Sequence, residues 1–468
     1  MLFNSPTFIL VFLPIVLIVF FRLIKFQLIH LAKLWLIFVS LVFYAYWNVR
    51  YLALLIISIF INYLMSQFII RLESKRQLSK TFLVIGICFN LGLLGYYKYA
   101  NFFADSINQL QLFSVNLFFG EIILPLAISF YTFTQISYLV DVYKKEANHS
   151  SLINYTLFIL FFPQLIAGPI LRNRDFIPQL LNPDTFLFSH KNFAFGVTFF
   201  TLGLAKKVLI ADNLSAMVAS VFDRSESIDF SQAWIGSLAY TFQIYFDFSG
   251  YSDMAIGLGL LFNIRLPINF NSPYKATSIV DFWRRWHITL SNFLRDYIYI
   301  PLGGNRYGEA RQYSNILIAM LLGGLWHGAN WTFVVWGGLH GIFLTIAHWW
   351  RKHGVPIPGY LSWILTFSTL VISWVFFRAN SLQDAGEIVR NMLGIKWQLF
   401  FQNPLNFDIA SLAVLGLIPI VIFLPNTEQI VDRLEPNKWS AFLVVFLLVI
   451  SIHNIVLSNK SEFLYFQF

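Results

Sequence analysis

The chain has 468 residues, of which 57% are hydrophobic and 12% are charged, and its formal net charge is +9. A soluble domain carries about 25% charged residues, so this composition excludes an ordinary soluble protein. The positive charge does not indicate a nucleic-acid partner, because membrane proteins retain lysine and arginine in their cytoplasmic loops. The single cysteine, Cys88, excludes an intrachain disulfide and a CxxC site, and we expect it to be a buried, unreactive thiol.

Apolar segments of the kind that cross a bilayer recur along the whole chain. A spanning helix needs about 20 apolar residues, and the short alternating runs of a membrane barrel are absent from this sequence. The runs fall near residues 7–24, 31–47, 51–70, 81–98, 121–142, 153–171, 192–211, 232–247, 253–263, 314–350, 359–377, 408–424 and 440–458. We therefore predict an all-α polytopic membrane protein, with residues 1–468 in one membrane-embedded domain. It should have about 11 transmembrane helices plus one or two shorter re-entrant or interfacial helices, the run 314–350 being long enough for a bent pair.

The basic loops predict the orientation of the first spans. Lysine and arginine concentrate in residues 22–33, 71–80 and 144–145, which fall on alternate loops. The positive-inside rule then places the N-terminus outside. Past residue 170 basic residues occur on both sides. Further along, the segment 380–407 predicts an amphipathic surface helix.

A polar stretch, DFWRRWHITLSNFLRDYIYIP, occupies residues 281–301. Its helical period predicts one helix over 281–300 with Arg284 and Arg285 on the charged face. An arginine near the bilayer centre costs roughly 2.5–3.5 kcal/mol, so this helix lies either at the membrane interface or in a wet cavity lined by protein. An interfacial anchor would place its arginines against lipid phosphates. His287, which neighbours Trp283 away from the charged face, favours a site inside the bundle.

A second unusual histidine follows in GGLWHGANWTFVVWGGLHG, residues 323–341. No Asp, Glu, Lys or Arg occurs between Arg311 and Arg351. A helix from Asn315 would put His327 about 18 Å along its axis, near the middle of a ~30 Å hydrocarbon core. An ionisable side chain at that depth is a functional-site hypothesis, and the alternative is a neutral histidine bonded across helices. No metal site is predicted, because acidic or cysteine ligands at suitable spacing, HxxxH and HExxH are all absent.

The two histidines together favour acid–base chemistry. Histidine titrates near neutrality and is the commonest general base. The sequence contains no GxSxG elbow, Walker loop or GxGxxG turn, so direct transfer without a covalent serine is favoured. We predict His327 and His287 as catalytic residues that take a proton from an acceptor hydroxyl while its oxygen attacks an acyl carbon. His340 and His348 are expected to pack or lie at the interface.

The motifs that carry these histidines resemble the membrane-bound O-acyltransferase family. WRRWHITLSNFLRDYIYIPLGGNR and GGLWHGANWTFVVWGGLHG place the two histidines 40 residues apart (327 − 287). The segments ILPLAISFYTFTQISYLVDVY (123–143), FFPQLIAGPI (161–170) and YFDFSGYSDMAIGLGLLFNIRLPINFNSPY (245–274) are similar to the bacterial branch that modifies alginate, peptidoglycan and teichoic acid. The resemblance covers nearly the whole chain.

Several expectations follow from this resemblance. It implies a ring of tilted helices around a central funnel, with His327 at the invariant histidine position and His287 at the second catalytic position. It implies a donor such as acetyl-CoA or another acyl thioester, which is a substrate and not a bound cofactor. It further implies an exported polysaccharide acceptor, a separate periplasmic SGNH-type acyltransferase as partner, and a location in the bacterial cytoplasmic membrane.

Other residues are predicted to line the substrate funnel or to support it. The residues expected to line it are Trp283, Arg284, Arg285, Trp326, Asn330 and Asp253. Asp247 and Asp253, which bracket an apolar span, are also candidates for structural pairing with Arg284 or Arg285. In FPQLIAGP, the prolines and the glycine predict a helix break.

The function predicted from these features is O-acetyl transfer, and three alternatives stay open. D-alanyl transfer to teichoic acid uses the same chemistry. A conduit for acyl groups would use buried histidines to relay protons for a periplasmic transferase. A scaffold in a polysaccharide-export complex would tolerate substitution of both histidines.

Overall fold

The structure, a computed structural model, describes residues 1–111, 116–147, 150–395, 409–435, 437–457 and 463–464. These residues form helices and turns with no strand, which confirms the all-α prediction. The helices up to residue 205 are α1 (Leu13–Lys25), α2 (Ile29–Ala45), α3 (Arg50–Arg71), α4 (Arg76–Leu94), α5 (Ala100–Gln109), α6 (Ile128–Tyr143), α7 (Leu152–Leu160), α8 (Phe162–Leu165), α9 (Asn173–Leu181) and α10 (His190–Ala205).

The later helices carry the candidate site. They are α11 (Asp212–Phe222), α12 (Phe230–Leu261), α13 (Ile279–Trp283), α14 (Ile288–Leu294), α15 (Glu309–His327), α16 (Trp331–His353), α17 (Gly359–Arg378), α18 (Leu382–Met392), α19 (Ile409–Phe423), α20 (Thr427–Arg433) and α21 (Lys438–Leu457). π-Helical turns continue some of these helices, at Phe8–Phe12, Gly95–Tyr99, Lys206–Ala211 and Arg295–Tyr299.

Seven helical segments of the described chain are long and apolar enough to cross a membrane, or eight if the bent pair α19–α20 is one span. This confirms the polytopic membrane class. The sequence-based number of about 11 is higher because it also counted α2, α6, α12 and α15. Helices α2 and α6 have only 17 and 16 residues, and polar side chains interrupt the apolar character of α12 and α15.

The chain divides into two compact units. The first comprises residues 1–202, 251–267 and 436–462, and the second comprises residues 203–250, 268–435 and 463–468. The prediction of one membrane-embedded domain over 1–468, with its ring of helices around a funnel, stays a prediction.

In the first unit, buried amides join neighbouring helices. Asn62 on α3 and Asn90 on α4 exchange hydrogen bonds through their side chains, with an Asn90 Nδ2 to Asn62 Oδ1 distance of 2.6 Å. Interhelical amide bonds of this kind are typical of membrane bundles, where the apolar surroundings offer no other partner. The predicted break in FPQLIAGP is confirmed, because α8 ends at Leu165 and turns follow through Gly168.

The environment predicted for Cys88 is wrong, because this cysteine is exposed. Helix α4 buries Gly86 and Asn90 instead, and the side chain of Cys88 points away from that face. An exposed position on an apolar helix is compatible with a small hydrophobic thiol in a membrane protein.

In the second unit, α15 and α16 form a tightly packed hairpin, which confirms the predicted bent pair over 314–350. Two glycines allow the close approach. A Cβ on Gly324 would lie 2.2 Å from the carbonyl oxygen of Phe333, and one on Gly337 would lie 2.3 Å from that of Met320. Small residues at such crossings let two helix backbones meet.

The amphipathic helix expected over 380–407 is confirmed in its first part. Helix α18 begins after Ser381, whose hydroxyl accepts from the backbone N–H of Asp384. It buries one face, which includes Ala385 and Ile388. Residues 396–407 of the predicted segment lie outside the described residues.

Candidate active site

The two predicted histidines come together in the second unit. The ring centroids of His287 and His327 lie 6.4 Å apart, with no intervening layer of the bundle. Both side chains are buried, at 0% and 5% exposure. Two imidazoles from sequence positions 40 apart (327 − 287) therefore face one small region.

The segment that carries His287 is broken, so the prediction of one helix over 281–300 is wrong. Helix α13 ends at Trp283 and α14 begins at Ile288. Between them, His287 adopts a left-handed backbone conformation with φ 41° and ψ 53°. Such a conformation is unfavourable for a non-glycine residue and persists only where the surroundings hold it.

Asn269 holds this break in place. Its backbone carbonyl accepts from the N–H of Ile288 at 3.0 Å, and its side-chain Oδ1 accepts from the N–H of Thr289 at 3.2 Å. The hydroxyl of Thr289 donates to the same Oδ1 at 2.9 Å. These bonds satisfy backbone donors at the start of α14 that have no intrahelical partner.

The same Asn269 oxygen determines the tautomer of His287. A backbone N–H only donates, so the amide atom facing Thr289 is the oxygen. Nδ1 of His287 lies 3.1 Å from this Oδ1 and must therefore carry the hydrogen. In the neutral ring the lone pair is then on Nε2, which is the nitrogen available to accept a proton.

Burial keeps His287 neutral. The segment 279–300 lies outside the helices that qualify as spans, and burial lowers the pKa of His287 to about 3. A phenylalanine ring, Phe248, packs edge-on against the imidazole at 4.8 Å between centroids. Apolar packing of this kind disfavours the charged imidazolium and leaves the proton-accepting form.

His327 is the last residue of α15. Its depth near the middle of the hydrocarbon core stays a prediction. Gly328 follows in an extended conformation, with φ −160° and ψ 150°. Asn330 then caps α16 by accepting from the N–H of Thr332 at 3.0 Å. A helix end places side chains and free backbone carbonyls beside a reacting group, whereas a helix interior would not.

Aromatic rings enclose His327. The rings of Trp326, Trp336 and Phe377 have centroids 5.0, 5.1 and 5.1 Å from its imidazole. Trp326 also lies 6.1 Å from the ring of His287. Trp326, predicted to line the funnel, is thus in contact distance of both histidines.

The second unit also contains a cleft of about 630 Å³, whose lining includes Trp283 and Ile288 on either side of the His287 turn but neither of the two histidines. Its rim carries Arg284, Arg295 and Arg351, which are exposed, and His348. Its depth is apolar, formed by buried residues that include Trp283, Leu294, Ile316 and Met320. Met320 precedes His327 by seven residues, or about 10 Å along α15.

The remaining predicted site residues separate into different environments. Trp283 and Arg284 line the cleft, whereas Arg285 donates from Nε to Asp281 at 2.9 Å and is not among the lining residues. Asn330 uses its amide to cap α16. Asp253 is buried and belongs to the first unit. A role for any of these residues in substrate binding stays a prediction.

The expected pairing of Asp247 with Arg284 or Arg285 is wrong. Asp247 forms a buried ion pair with Lys207, at 2.6 Å between Nζ and Oδ1. Lys207 also pairs with Asp212 at 2.7 Å. The backbone N–H of Leu464 donates to Oδ2 of Asp247 at 3.1 Å. A cation and a hydrogen-bond donor thus surround this buried carboxylate, as such a group requires, and its structural role stays a prediction.

Sequence reasoning missed Asn269, Arg295 and Arg351. Asn269 lies 18 residues before His287 (287 − 269) in a segment without regular secondary structure, and no periodicity connects the two. Arg295 and Arg351 are far apart in sequence, and they line one cleft because the helix break and the α15–α16 hairpin bring their segments together. A polar asparagine between apolar residues, in LPINFNSPY, was the available signal for Asn269.

Comparisons with known proteins cover most of the chain. The family model described as "MBOAT, membrane-bound O-acyltransferase family" matches residues 18–381. The chain is 41% identical to the peptidoglycan O-acetyltransferase of Helicobacter pylori, over 100% of this chain and 98% of that protein. It is 42% identical to the probable alginate O-acetylase AlgI of Pseudomonas aeruginosa, over 92% of this chain and 83% of the relative. A teichoic acid D-alanyltransferase of Streptococcus thermophilus is 29% identical, over 54% of this chain and 68% of the relative.

Proposed function

Because the chain belongs to the membrane-bound O-acyltransferase family and is an acyltransferase, we propose that it transfers an acetyl group to the hydroxyl of an exported polysaccharide or of a partner acyltransferase. The supporting relatives are an O-acetyltransferase named for peptidoglycan and one named for alginate, both above 40% identity. The polysaccharide acceptor is a cell-surface glycan of this kind. The location is the bacterial cytoplasmic membrane, which the donor reaches from the cytoplasm.

The observation that carries the proposal is the pair of buried imidazoles 6.4 Å apart. One histidine takes the proton of the acceptor hydroxyl while the oxygen attacks the thioester carbonyl carbon. The new C–O bond forms, the C–S bond breaks, and the leaving sulfur receives the proton from the imidazolium. A positioned base contributes typically 10²–10⁴-fold to such a rate.

The histidines divide this work by their surroundings. His327, at the C-terminal end of α15, is the proposed base toward the acceptor. His287, held by Asn269 with its lone pair on Nε2, accepts a hydrogen bond in the reacting complex. Burial among aromatic rings excludes water, so the thioester reacts with the acceptor hydroxyl and is protected from hydrolysis.

The cleft beside Trp283 is the proposed route of the donor. Acetyl-CoA and protein-bound phosphopantetheine both carry phosphate on a long, narrow arm that ends in the thioester. Guanidinium groups bind phosphate through charge-assisted hydrogen bonds, and the rim of the cleft supplies Arg284, Arg295 and Arg351. The apolar depth suits the arm. A separate periplasmic SGNH-type acyltransferase is the proposed partner where the final acceptor lies outside.

The first test replaces each histidine. His327→Ala and His287→Ala should each lower acetylation of the cell-surface polymer by at least 100-fold at equal protein levels, because either removes one of the two imidazoles. His353→Ala, an exposed histidine at the end of α16, is the control and should retain activity. Wild-type acetylation in a His327→Ala strain would refute the proposed catalytic role of the histidines and favour the scaffold alternative.

A second test compares two adjacent arginines. Arg284→Ala should raise the donor KM of the purified protein about tenfold or more, because it removes a phosphate contact worth roughly 1.5 kcal/mol. Arg285→Ala loses a partly exposed pair with Asp281 and a 3.4 Å hydrogen bond to the carbonyl of Asn271, and it should change KM less than twofold. Equal effects of the two variants would exclude the cleft as the donor route.

D-alanyl transfer is the second candidate, favoured by the more distant teichoic acid D-alanyltransferase relatives. Incubation of the purified protein with labelled acetyl and D-alanyl thioesters distinguishes the two, since the proposal expects label in the acceptor only from acetyl. Movement of donor without any transfer to an acceptor would favour the conduit.

A further inference from the structure

A third histidine, His340 on α16, is fully buried and takes no part in the chemistry proposed above. Its ring lies among the aromatic side chains next to the catalytic pair. The centroid of Trp336 is 4.7 Å from the imidazole of His340 on one side and 5.1 Å from that of His327 on the other. One indole therefore separates His340 from a proposed catalytic residue.

Both ring nitrogens of His340 have hydrogen-bond partners that determine its tautomer. Nε1–H of Trp283 donates to Nδ1 at 3.2 Å, and an indole nitrogen can only donate. Nε2 lies 3.1 Å from Oγ of Ser373, whose hydroxyl donates to the carbonyl of Leu370 at 2.8 Å. Nε2 must therefore carry the hydrogen. A protonated ring would direct a second N–H at the indole of Trp283, so this arrangement excludes proton relay through His340.

The group that His340 holds, Trp283, is a wall of the donor cleft. Its ring packs against Trp336 at 5.9 Å, and Trp336 packs edge-on against His327. A shift of the Trp283 indole would therefore change both the depth of the cleft and the packing that orients His327. Placement errors of about 1 Å at a reacting group lower rates by as much as 100-fold.

We propose that His340 is a positioning residue: its Nδ1 is a fixed acceptor that holds Trp283 in the wall of the donor cleft and against Trp336, the indole that packs on His327. This inference rests on the proposed acyl transfer at His327. It predicts that activity depends on an acceptor at the Nδ1 position and not on a titrating imidazole.

The test compares three replacements of His340 in the purified protein with a thioester donor. His340→Asn places its Oδ1 where Nδ1 stood and should keep kcat within about threefold of wild type, with an unchanged pH–rate profile. His340→Leu keeps similar volume without an acceptor, and His340→Gln reaches Ser373 but leaves Trp283 without its acceptor. Both should lower kcat about tenfold or more. His353→Leu, on the same helix but exposed, is the control for a histidine substitution.

A double-mutant cycle separates positioning from a general loss of stability. In a Trp283→Phe background the indole donor is already absent, so His340→Leu should cost less than threefold there. The same loss in both backgrounds, an inactive His340→Asn variant, or wild-type kcat in both His340→Leu and His340→Gln would each overturn the inference. If His340→Leu does not accumulate, the cycle is run with His340→Gln. Failure of the acyl-transfer proposal is distinct, since there His327→Ala itself would stay active.

Discussion

Asn269 is the residue on which the arrangement of His287 depends. One amide oxygen accepts from the imidazole, from a threonine hydroxyl and from the backbone N–H that opens α14. The carbonyl of the same residue accepts from Ile288. Without this acceptor, each of these buried donors would lose its hydrogen bond and carry a desolvation penalty. Asn269 therefore stabilises both the left-handed turn at His287 and the tautomer of its ring.

Replacing Asn269 by Ala should therefore lower the transfer rate about tenfold or more, since a misplaced ring that costs about 1.4 kcal/mol in the transition state slows the reaction tenfold. The measurement is kcat of the purified protein at saturating donor. Asn213→Ala is the matched control, because this exposed asparagine donates to the carbonyl of Leu209 in the π-helical turn just before α11. An Asn269→Ala variant as fast as the control would show that His287 needs no second residue to hold it.

At the scale of elements, the α15–α16 hairpin decides where His327 lies. Gly337→Ala would bring a Cβ to 2.3 Å from the Met320 carbonyl oxygen, a backbone atom that cannot move without separating the helices. The adjacent Gly338→Ala would meet only Cδ2 of Leu321, at 3.4 Å. We expect Gly337→Ala to destabilise the protein by about 1–3 kcal/mol, as overpacking does, and to lower activity in parallel.

The thermal unfolding midpoint in detergent checks this prediction. Gly338→Ala should keep the midpoint of the wild-type protein, since its new methyl group makes an ordinary contact. Two equal shifts would mean that loss of glycine flexibility, and not helix separation, governs stability here.

These elements also show how far sequence patterns reach. Hydropathy predicts the membrane class and the α15–α16 pair because spanning helices must be apolar and continuous. The helix that the pattern of residues 281–300 predicts is broken at residues 284–287. Just after the break, the backbone N–H groups of Ile288 and Thr289 donate to Asn269, which lies outside this segment. A tertiary hydrogen bond of this kind leaves no trace in the local pattern. The ion pair of Lys207 with Asp247 was missed for the same reason, because only folding brings them to 2.6 Å.

For the whole molecule, the distribution of charge predicts how the chain sits in the bilayer. The segment 71–80, which runs from the end of α3 into the start of α4, holds Arg71, Lys75, Arg76 and Lys80, and the positive-inside rule places it in the cytoplasm. The segment that follows α5 should then lie outside. The orientation also determines on which side of the membrane the donor cleft opens, and the proposed chemistry requires the cytoplasmic side.

The single cysteine allows a direct test of this orientation. In a Cys88→Ser chain, Ser74→Cys should resist a membrane-impermeant maleimide in right-side-out vesicles and react in inverted ones, whereas Phe118→Cys should do the reverse. Both positions are exposed outside helices, so reagent access differs only by side. The unaltered chain should stay unlabelled in either vesicle, because Cys88 lies on the exposed side of an apolar helix, where we expect lipid. Labelling of Ser74→Cys from outside would invert the topology and place the donor on the wrong side of the membrane for a cytoplasmic thioester.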